Sequence, residues 1–217
     1  FDIINMLNAS VVSNKNKAGV TLFAGARQRG AYDANGDGFS EIGKINNKNL
    51  GIRGFWHTND HGKLTFEYHT INEFRRGGNL LHLPAHEADI AEQTDHDIHA
   101  GGLTYDLFLD KGKHWLQFYA SLQHIDRQSY YGSGKDLNAY GTTKDMANVD
   151  GMQYVLSMKK FLFMPATLTS GVEFSYNALL DKMLGYNRTI DQETFIYSTF
   201  LQNEWSNRML SLLLGAR

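Results

Sequence analysis

The sequence predicts an all-β protein, an antiparallel transmembrane β-barrel with about ten strands in this chain. Three observations predict it. Apolar and polar residues alternate with a period of two, tight polar turns alternate with long connections, and the composition suits strands. The 217 residues include 13 Phe and 11 Tyr but only 2 Pro. Aromatic residues are enriched in strands, whereas Pro is depleted from them.

Composition excludes several classes of protein. The chain has 21 basic and 23 acidic residues, and its net charge of -2 gives no electrostatic footprint for nucleic acid. The absence of Cys excludes a disulfide framework, a zinc finger and a thiol nucleophile. A mean hydropathy of -0.40 and the lack of a long apolar run exclude a transmembrane helix. A membrane barrel remains open, because its strands are apolar on one side only.

The period of two is clearest in residues 63–69, 116–123 and 167–178. In residues 116–123, Leu, Phe, Ala and Leu alternate with Gln, Tyr, Ser and Gln. Successive side chains of a strand point to opposite faces, so each segment has one apolar and one polar face. On the barrel prediction the apolar face contacts outer-membrane lipid, the polar face lines a lumen, and many Tyr and Phe form interfacial girdles.

The alternation predicts ten strands, several of them long enough to cross a bilayer at a tilt, which takes roughly 9–11 residues. Residues 80–91 are the one candidate for a short helix in a loop. The predicted strands are 5–13, 19–32, 43–57, 63–75, 95–109, 114–128, 150–158, 167–178, 194–205 and 209–216.

The connections alternate between short and long. Short polar turns are predicted at 14–17, 58–62, 110–113 and 206–208, with a somewhat longer one at 159–166. Long connections are predicted near 33–42, 76–94, 129–149 and 179–193. Short turns at one end and long loops at the other are typical of outer-membrane barrels. A soluble β-sandwich acting as a binding module is the alternative, since its strands also alternate around one packed core.

Residues 33–41, DANGDGFSE, match the first half of a calcium-binding loop. Alternate oxygens can point at one ion, and Gly38 permits the sharp bend. The match ends at Lys44, where such loops place a bidentate Glu. A plain turn is the alternative, because Asn-Gly and Asp-Gly are strong turn formers. The candidate Ca²⁺ ligands are Asp33, Asn35, Asp37, the Phe39 carbonyl and Glu41.

Three residue pairs are candidate ligand-binding groups in the long loops. Arg75 and Arg76 could together grip a carboxylate, phosphate or catecholate, or instead pair with acidic neighbours or lipopolysaccharide. His82 and His86 would share one face of a helix, although Pro84 between them disfavours it, and a solvated loop is the alternative. Tyr130 and Tyr131 could stack on a planar ligand or pack within a girdle. No nucleophile elbow or P-loop is present, so no enzyme activity is predicted.

Six segments resemble TonB-dependent outer-membrane receptors of Bacteroides-like bacteria. They are YDANGDGFSEI (32–42), LTFEYH (64–69), NEFRRGGN (72–79), HEADIAE (86–92), SYYG (129–132) and MLGYNR (183–188). The similarity runs over essentially the whole chain but matches only part of such a receptor, which has a plug domain inside a barrel of 22 strands. The resemblance implies that residues 1–217 are a barrel segment without the plug.

The resemblance also implies a function, location and partners. The function is active uptake of a scarce large nutrient, a siderophore–iron complex or cobalamin, across the outer membrane of a Gram-negative bacterium. The expected partners are lipid, the remainder of the barrel and plug, TonB through that plug, and a surface lipoprotein. A small autonomous ten-stranded barrel acting as an enzyme or pore is the alternative, and pairing of the first strand with the tenth would favour it.

Overall fold

The computed structural model describes residues 1–217 and contains ten β-strands in one antiparallel sheet. The strands pair in chain order, so each inner strand lies between its two neighbours in sequence. The all-β antiparallel prediction is therefore confirmed. The strands are β1 Asp2–Val12, β2 Ala18–Arg29, β3 Ser40–His57, β4 Gly62–Gly78, β5 Ile90–Leu109, β6 His114–Ser133, β7 Tyr140–Phe161, β8 Met164–Met183, β9 Arg188–Ser206 and β10 Ser211–Ala216.

Several strands are longer than the sequence predicted. β7 has 22 residues, whereas the alternation predicted only 150–158. Residues 140–149 carry polar side chains on both faces, so they show no period of two although they are hydrogen-bonded strand. The predicted helix at 80–91 is wrong, because that segment contains only a single 3-10 turn at Ala85–Glu87.

Short and long connections alternate as predicted over the first three loops, whereas the fourth loop, 184–187, is no longer than most of the turns. Five short turns, at 13–17, 58–61, 110–113, 162–163 and 207–210, lie at what we name the turn end. Four other connections, at 30–39, 79–89, 134–139 and 184–187, lie at the opposite loop end. The last two are shorter than predicted because β6 to β9 extend into them. No helix in the structure has the length and apolar character needed to cross a membrane.

The two faces of the sheet differ in polarity. We name the face that carries Leu116, Phe118 and Leu122 the outward face, and the opposite face, which carries Gln117 and Ser121, the lumenal face. The pairing register then assigns each of the remaining strand residues to one of these two faces. For example, Leu103 pairs with Ala120 on the outward face, and Thr104 pairs with Tyr119 on the lumenal face.

The apolar band of the outward face runs obliquely across the strands. Ala24 pairs with Leu50, and continuing the same cross-strand row through β4 leads to His99 and His124. One row thus begins apolar and becomes polar. Rows run perpendicular to strands, so a band parallel to a membrane crosses successive rows when the strands are tilted.

The sheet is a single open layer. β1 pairs only with β2 and β10 only with β9, so the ten strands do not close on themselves. Only 20 of 217 residues are buried, because no second sheet covers either face. This architecture is neither the sandwich nor the autonomous ten-stranded barrel that remained as alternatives.

A candidate ligand-binding surface on the lumenal face

A continuous polar row crosses the lumenal face near the loop end. Its members lie on seven consecutive strands, and each is in register with the next. The row contains Arg27, Asn47, Glu73, His96, Arg127, Thr143 and Asp181. The same alternation that places Gln117 and Tyr119 in the lumen therefore brings charged groups from distant parts of the sequence into contact.

Glu73 is fixed by two donors. The Asn47 side-chain amide donates to Oε2 at 2.8 Å, and Arg75 Nε donates to Oε1 at 2.6 Å. Arg75 is two residues further along β4, so it lies on the same face, and its side chain is 59% exposed. The guanidinium is thus oriented by a carboxylate and still open to the lumen.

Asp181 is the centre of a second cluster. Its buried carboxylate accepts a hydrogen bond from Thr143 Oγ1 at 2.6 Å and one from Arg188 Nη2 at 3.2 Å. Arg127 Nη2 lies 3.7 Å from the same carboxylate and donates to Thr143 at 2.8 Å. Two guanidiniums therefore share one carboxylate, which leaves a positive charge.

Five arginines lie in this half of the lumenal face, together with five carboxylates that include Glu92 and Asp145. Four arginines contact three carboxylates, and the guanidinium of the fifth, Arg29, donates to the Gly43 carbonyl instead. Guanidinium groups bind planar anions through paired donors, which makes the surface suited to carboxylate or catecholate ligands. The arginines are Arg27, Arg29, Arg75, Arg127 and Arg188, and their acidic partners are Asp2, Glu73 and Asp181.

Arg127, Asp181 and Arg188 are not among the site residues that the sequence predicts. The predicted strand ends at 128, and 129–149 and 179–193 are predicted loops, so the register that joins these residues is not visible in the sequence. The available signal was the continued alternation after Gln123, which already places Arg127 on the polar face.

Arg75 and Arg76 do not form the predicted paired grip. Neighbouring strand residues point to opposite faces, and Arg76 lies on the outward face in one row with Gln93, Tyr130 and Tyr140. Arg76 is 2% exposed, and neither of its terminal nitrogens has a hydrogen-bond partner. Only Arg75 is therefore placed to contact a ligand in the lumen.

Tyr130 and Tyr131 are separated in the same way. Tyr130 is 1% exposed and packs against Tyr140, with ring centroids 4.8 Å apart. Tyr131 is 43% exposed and lies on the lumenal face. The stacking prediction remains for Tyr131, whereas Tyr130 is enclosed.

The two histidines lie in loop 79–89. His82 is exposed, and the His86 imidazole is 3.0 Å from the Tyr140 hydroxyl. The single 3-10 turn begins after His82, so the two imidazoles do not share a helical face. The helical metal-site prediction therefore loses its geometric basis.

The predicted calcium loop brings its carboxylates together. Asp33, Asp37 and Glu41 each offer a ligand oxygen, and these oxygens all lie within 4.8 Å of one another. Both Asp33 oxygens also accept backbone N–H groups, from Gly36 at 2.7 Å and Gly38 at 2.8 Å. The donors fit part of the oxygen set that Ca²⁺ requires, and calcium binding stays a prediction.

No protein-family model and no curated protein matches the chain. Solved structures match 99% of it: the siderophore receptor PirA from Acinetobacter baumannii (TM-score 0.75, 14% identity), the copper transporter OprC (0.67, 15%) and the outer membrane transporter YddB from Escherichia coli (0.64, 13%). The chain has the fold of part of these outer-membrane β-barrels. The segment spans 35%, 35% and 33% of those chains. At these identities the likeness shows the fold alone.

Proposed function

We propose that this barrel segment belongs to a TonB-dependent outer-membrane receptor that takes up a metal–siderophore complex. The observation that supports this most is the match of the whole ten-stranded sheet to part of transporter barrels, at a TM-score of up to 0.75. The arginine-rich lumenal face adds a surface with suitable chemistry.

The architecture also supports an orientation in the outer membrane of a Gram-negative bacterium. Short turns face the periplasm and longer loops face outside in such barrels. The loop end and its arginines would therefore meet an external ligand. The open edges of β1 and β10 need further strands in a bilayer, because unpaired backbone groups cost several kcal/mol each in hydrocarbon. A plug that receives force from TonB completes the proposed receptor.

The exposed guanidiniums of Arg75 and Arg188 favour a siderophore complex over a bare metal ion. PirA is named a siderophore receptor and OprC a copper transporter. Clustered guanidiniums repel a free cation but bind the carboxylates and catecholates of an anionic chelate. The proposed ligand is therefore an anionic ferric complex, held through Arg75 and Arg188.

The test is binding of a panel of ferric catecholate, hydroxamate and citrate complexes to the full natural chain. We expect at least one anionic complex to bind, and to support growth under iron limitation only when TonB is present. In R75Q/R188Q, affinity should fall at least tenfold, because hydrogen bonds to charged groups contribute about 1.5–3 kcal/mol each.

The matched control is K144Q/K182Q, which removes two positive charges from the outward face near the same end of the sheet. Its affinity should equal that of the unaltered protein. Failure of every ferric complex to bind would refute the siderophore proposal, and uptake that persists without TonB would refute the energy source.

A further inference from the structure

The connecting segments at the two ends of the sheet carry opposite charge. The five turns contain five basic residues and two aspartates, whereas the four loops contain five carboxylates and one lysine. The basic turn residues are Lys15, Lys17, Lys111, Lys113 and Arg208. The near-zero net charge of the chain therefore conceals a basic turn end.

The positive charge is densest beside the β5–β6 turn. A groove of about 1000 Å³ lies between this turn and the end of β7. Its lining includes Lys111, Lys113, Lys159 and Lys160, all of them exposed, and the last two lie in the β-bulge between Met158 and Phe161, where the strict alternation of faces is interrupted. The only acidic group in the lining is Asp110, which is 3.9 Å from Lys113 Nζ. Three of the four ammonium groups thus have no ion-pair partner.

An aromatic cluster adjoins this groove on the outward face. Trp205 stacks with both Phe161 and Phe163, with ring centroids 6.1 Å and 5.6 Å apart, respectively. Met158 packs against the cluster of Trp205 and also lines the groove. Trp is enriched where a membrane meets water. In a membrane-spanning barrel, this arrangement would place the lysines near the depth of the lipid phosphates.

We propose that this groove binds the phosphate headgroup of an anionic glycerophospholipid in the leaflet that surrounds the turns. The four lysines supply the positive charge, and Met158 with the Trp205 cluster supplies an apolar wall for the start of the acyl chains. Lys side chains near a membrane surface attract anionic lipid and extend toward its phosphates. The inference requires a membrane location but not transport.

The test is titration of the delipidated full natural chain, in uncharged detergent, with phosphatidylglycerol and separately with phosphatidylcholine. We expect phosphatidylglycerol to bind more tightly, and its affinity to fall as salt is raised. In K111Q/K113Q/K159Q/K160Q the Kd for phosphatidylglycerol should rise at least tenfold. K159Q/K160Q should show a smaller rise, with both variants folded as judged by heat-modifiable mobility.

A matched control removes four lysines from the outward face near the loop end, in K44Q/K48Q/K144Q/K182Q, and should leave the Kd unchanged. An unchanged Kd in the fourfold turn variant would overturn the proposal, as would equal affinity for phosphatidylcholine. Millimolar inorganic phosphate should fail to displace the lipid. Full displacement would identify a site for free phosphate and also overturn it.

Discussion

At the scale of single residues, Tyr130 is the largest fully enclosed side chain in a sheet that has almost no interior. Loop 79–89 folds over the outward face and places Ala85 and Ala88 against the ring, and Ala91 of β5 completes the contact. Three alanines leave room for an aromatic ring that larger residues would displace. The Tyr130 hydroxyl lies within this enclosure without a hydrogen-bond partner.

This geometry predicts opposite results for two substitutions of Tyr130. Tyr130→Phe removes a hydroxyl that makes no hydrogen bond, so the free energy of unfolding should stay the same or rise. Tyr130→Ala removes the ring from the enclosure and should lower the free energy of unfolding by about 3–5 kcal/mol. Urea-induced unfolding in lipid vesicles measures both. A loss for Tyr130→Phe as large as that for Tyr130→Ala would show that the hydroxyl is bonded after all.

The predicted calcium site also depends on individual residues, namely the carboxylates of Asp33, Asp37 and Glu41. Three carboxylates within 4.8 Å repel one another unless a cation neutralises them. We predict that millimolar Ca²⁺ slows proteolytic cleavage within loop 30–39 and that a chelator reverses the effect. D33N/D37N should abolish this protection. Mg²⁺ should protect the loop less than Ca²⁺ does, because Mg²⁺ demands near-octahedral geometry. Identical cleavage rates with and without Ca²⁺ would reject the site.

At the scale of elements, aromatic rings cover glycines of neighbouring strands on the lumenal face. A Cβ added at Gly51 would lie 1.9 Å from Cζ of Phe23, and one at Gly151 would lie 2.2 Å from the Tyr119 ring. The glycine leaves space for the ring, and the ring shields the glycine backbone. Such pairs fix the register of β2 with β3 and of β6 with β7.

Gly51→Ala should therefore destabilise the sheet by about 1–3 kcal/mol, because the Phe23 ring must leave its position. Gly77→Ala is the control, since the nearest atom to its Cβ would be Ser40 Oγ at 3.8 Å, and it should be nearly neutral. In F23L/G51A the smaller side chain should recover part of the loss. Equal losses for Gly51→Ala and Gly77→Ala in urea unfolding would contradict the interlock.

Strands that cross the apolar band could be predicted from sequence, and those beyond it could not. The strand at 63–75 was found because Leu64, Phe66 and Tyr68 alternate with polar residues. Residues 140–149 form strand through backbone hydrogen bonds to both neighbours, which leaves no trace in hydropathy when both faces meet water. The candidate site was the least predictable part of the structure, because Arg127 and Asp181 come together only through that unpredicted register.

At the scale of the whole molecule, the mean hydropathy of -0.40 averages two unlike faces. Leu103 and Leu122 on the outward face are 54% and 51% exposed in the isolated sheet, and neither contacts a packed core. An apolar surface of this extent on a single layer needs a cover, and in a soluble protein it would mark an interaction site. In the proposed outer-membrane location, lipid around the tilted apolar band would supply that cover.

The face assignment predicts an alternating pattern of chemical labelling. The chain has no cysteine, so each introduced thiol is the only one within it. In vesicles, S121C and Q123C should react with a small polar methanethiosulfonate reagent because they face the lumen. L103C and L122C should stay unlabelled, because lipid excludes the reagent and lowers the thiolate population. All four positions are exposed in the sheet itself. Labelling of all four variants would therefore mean that no bilayer covers the outward face. Labelling of L122C without labelling of S121C would mean that the two faces are exchanged.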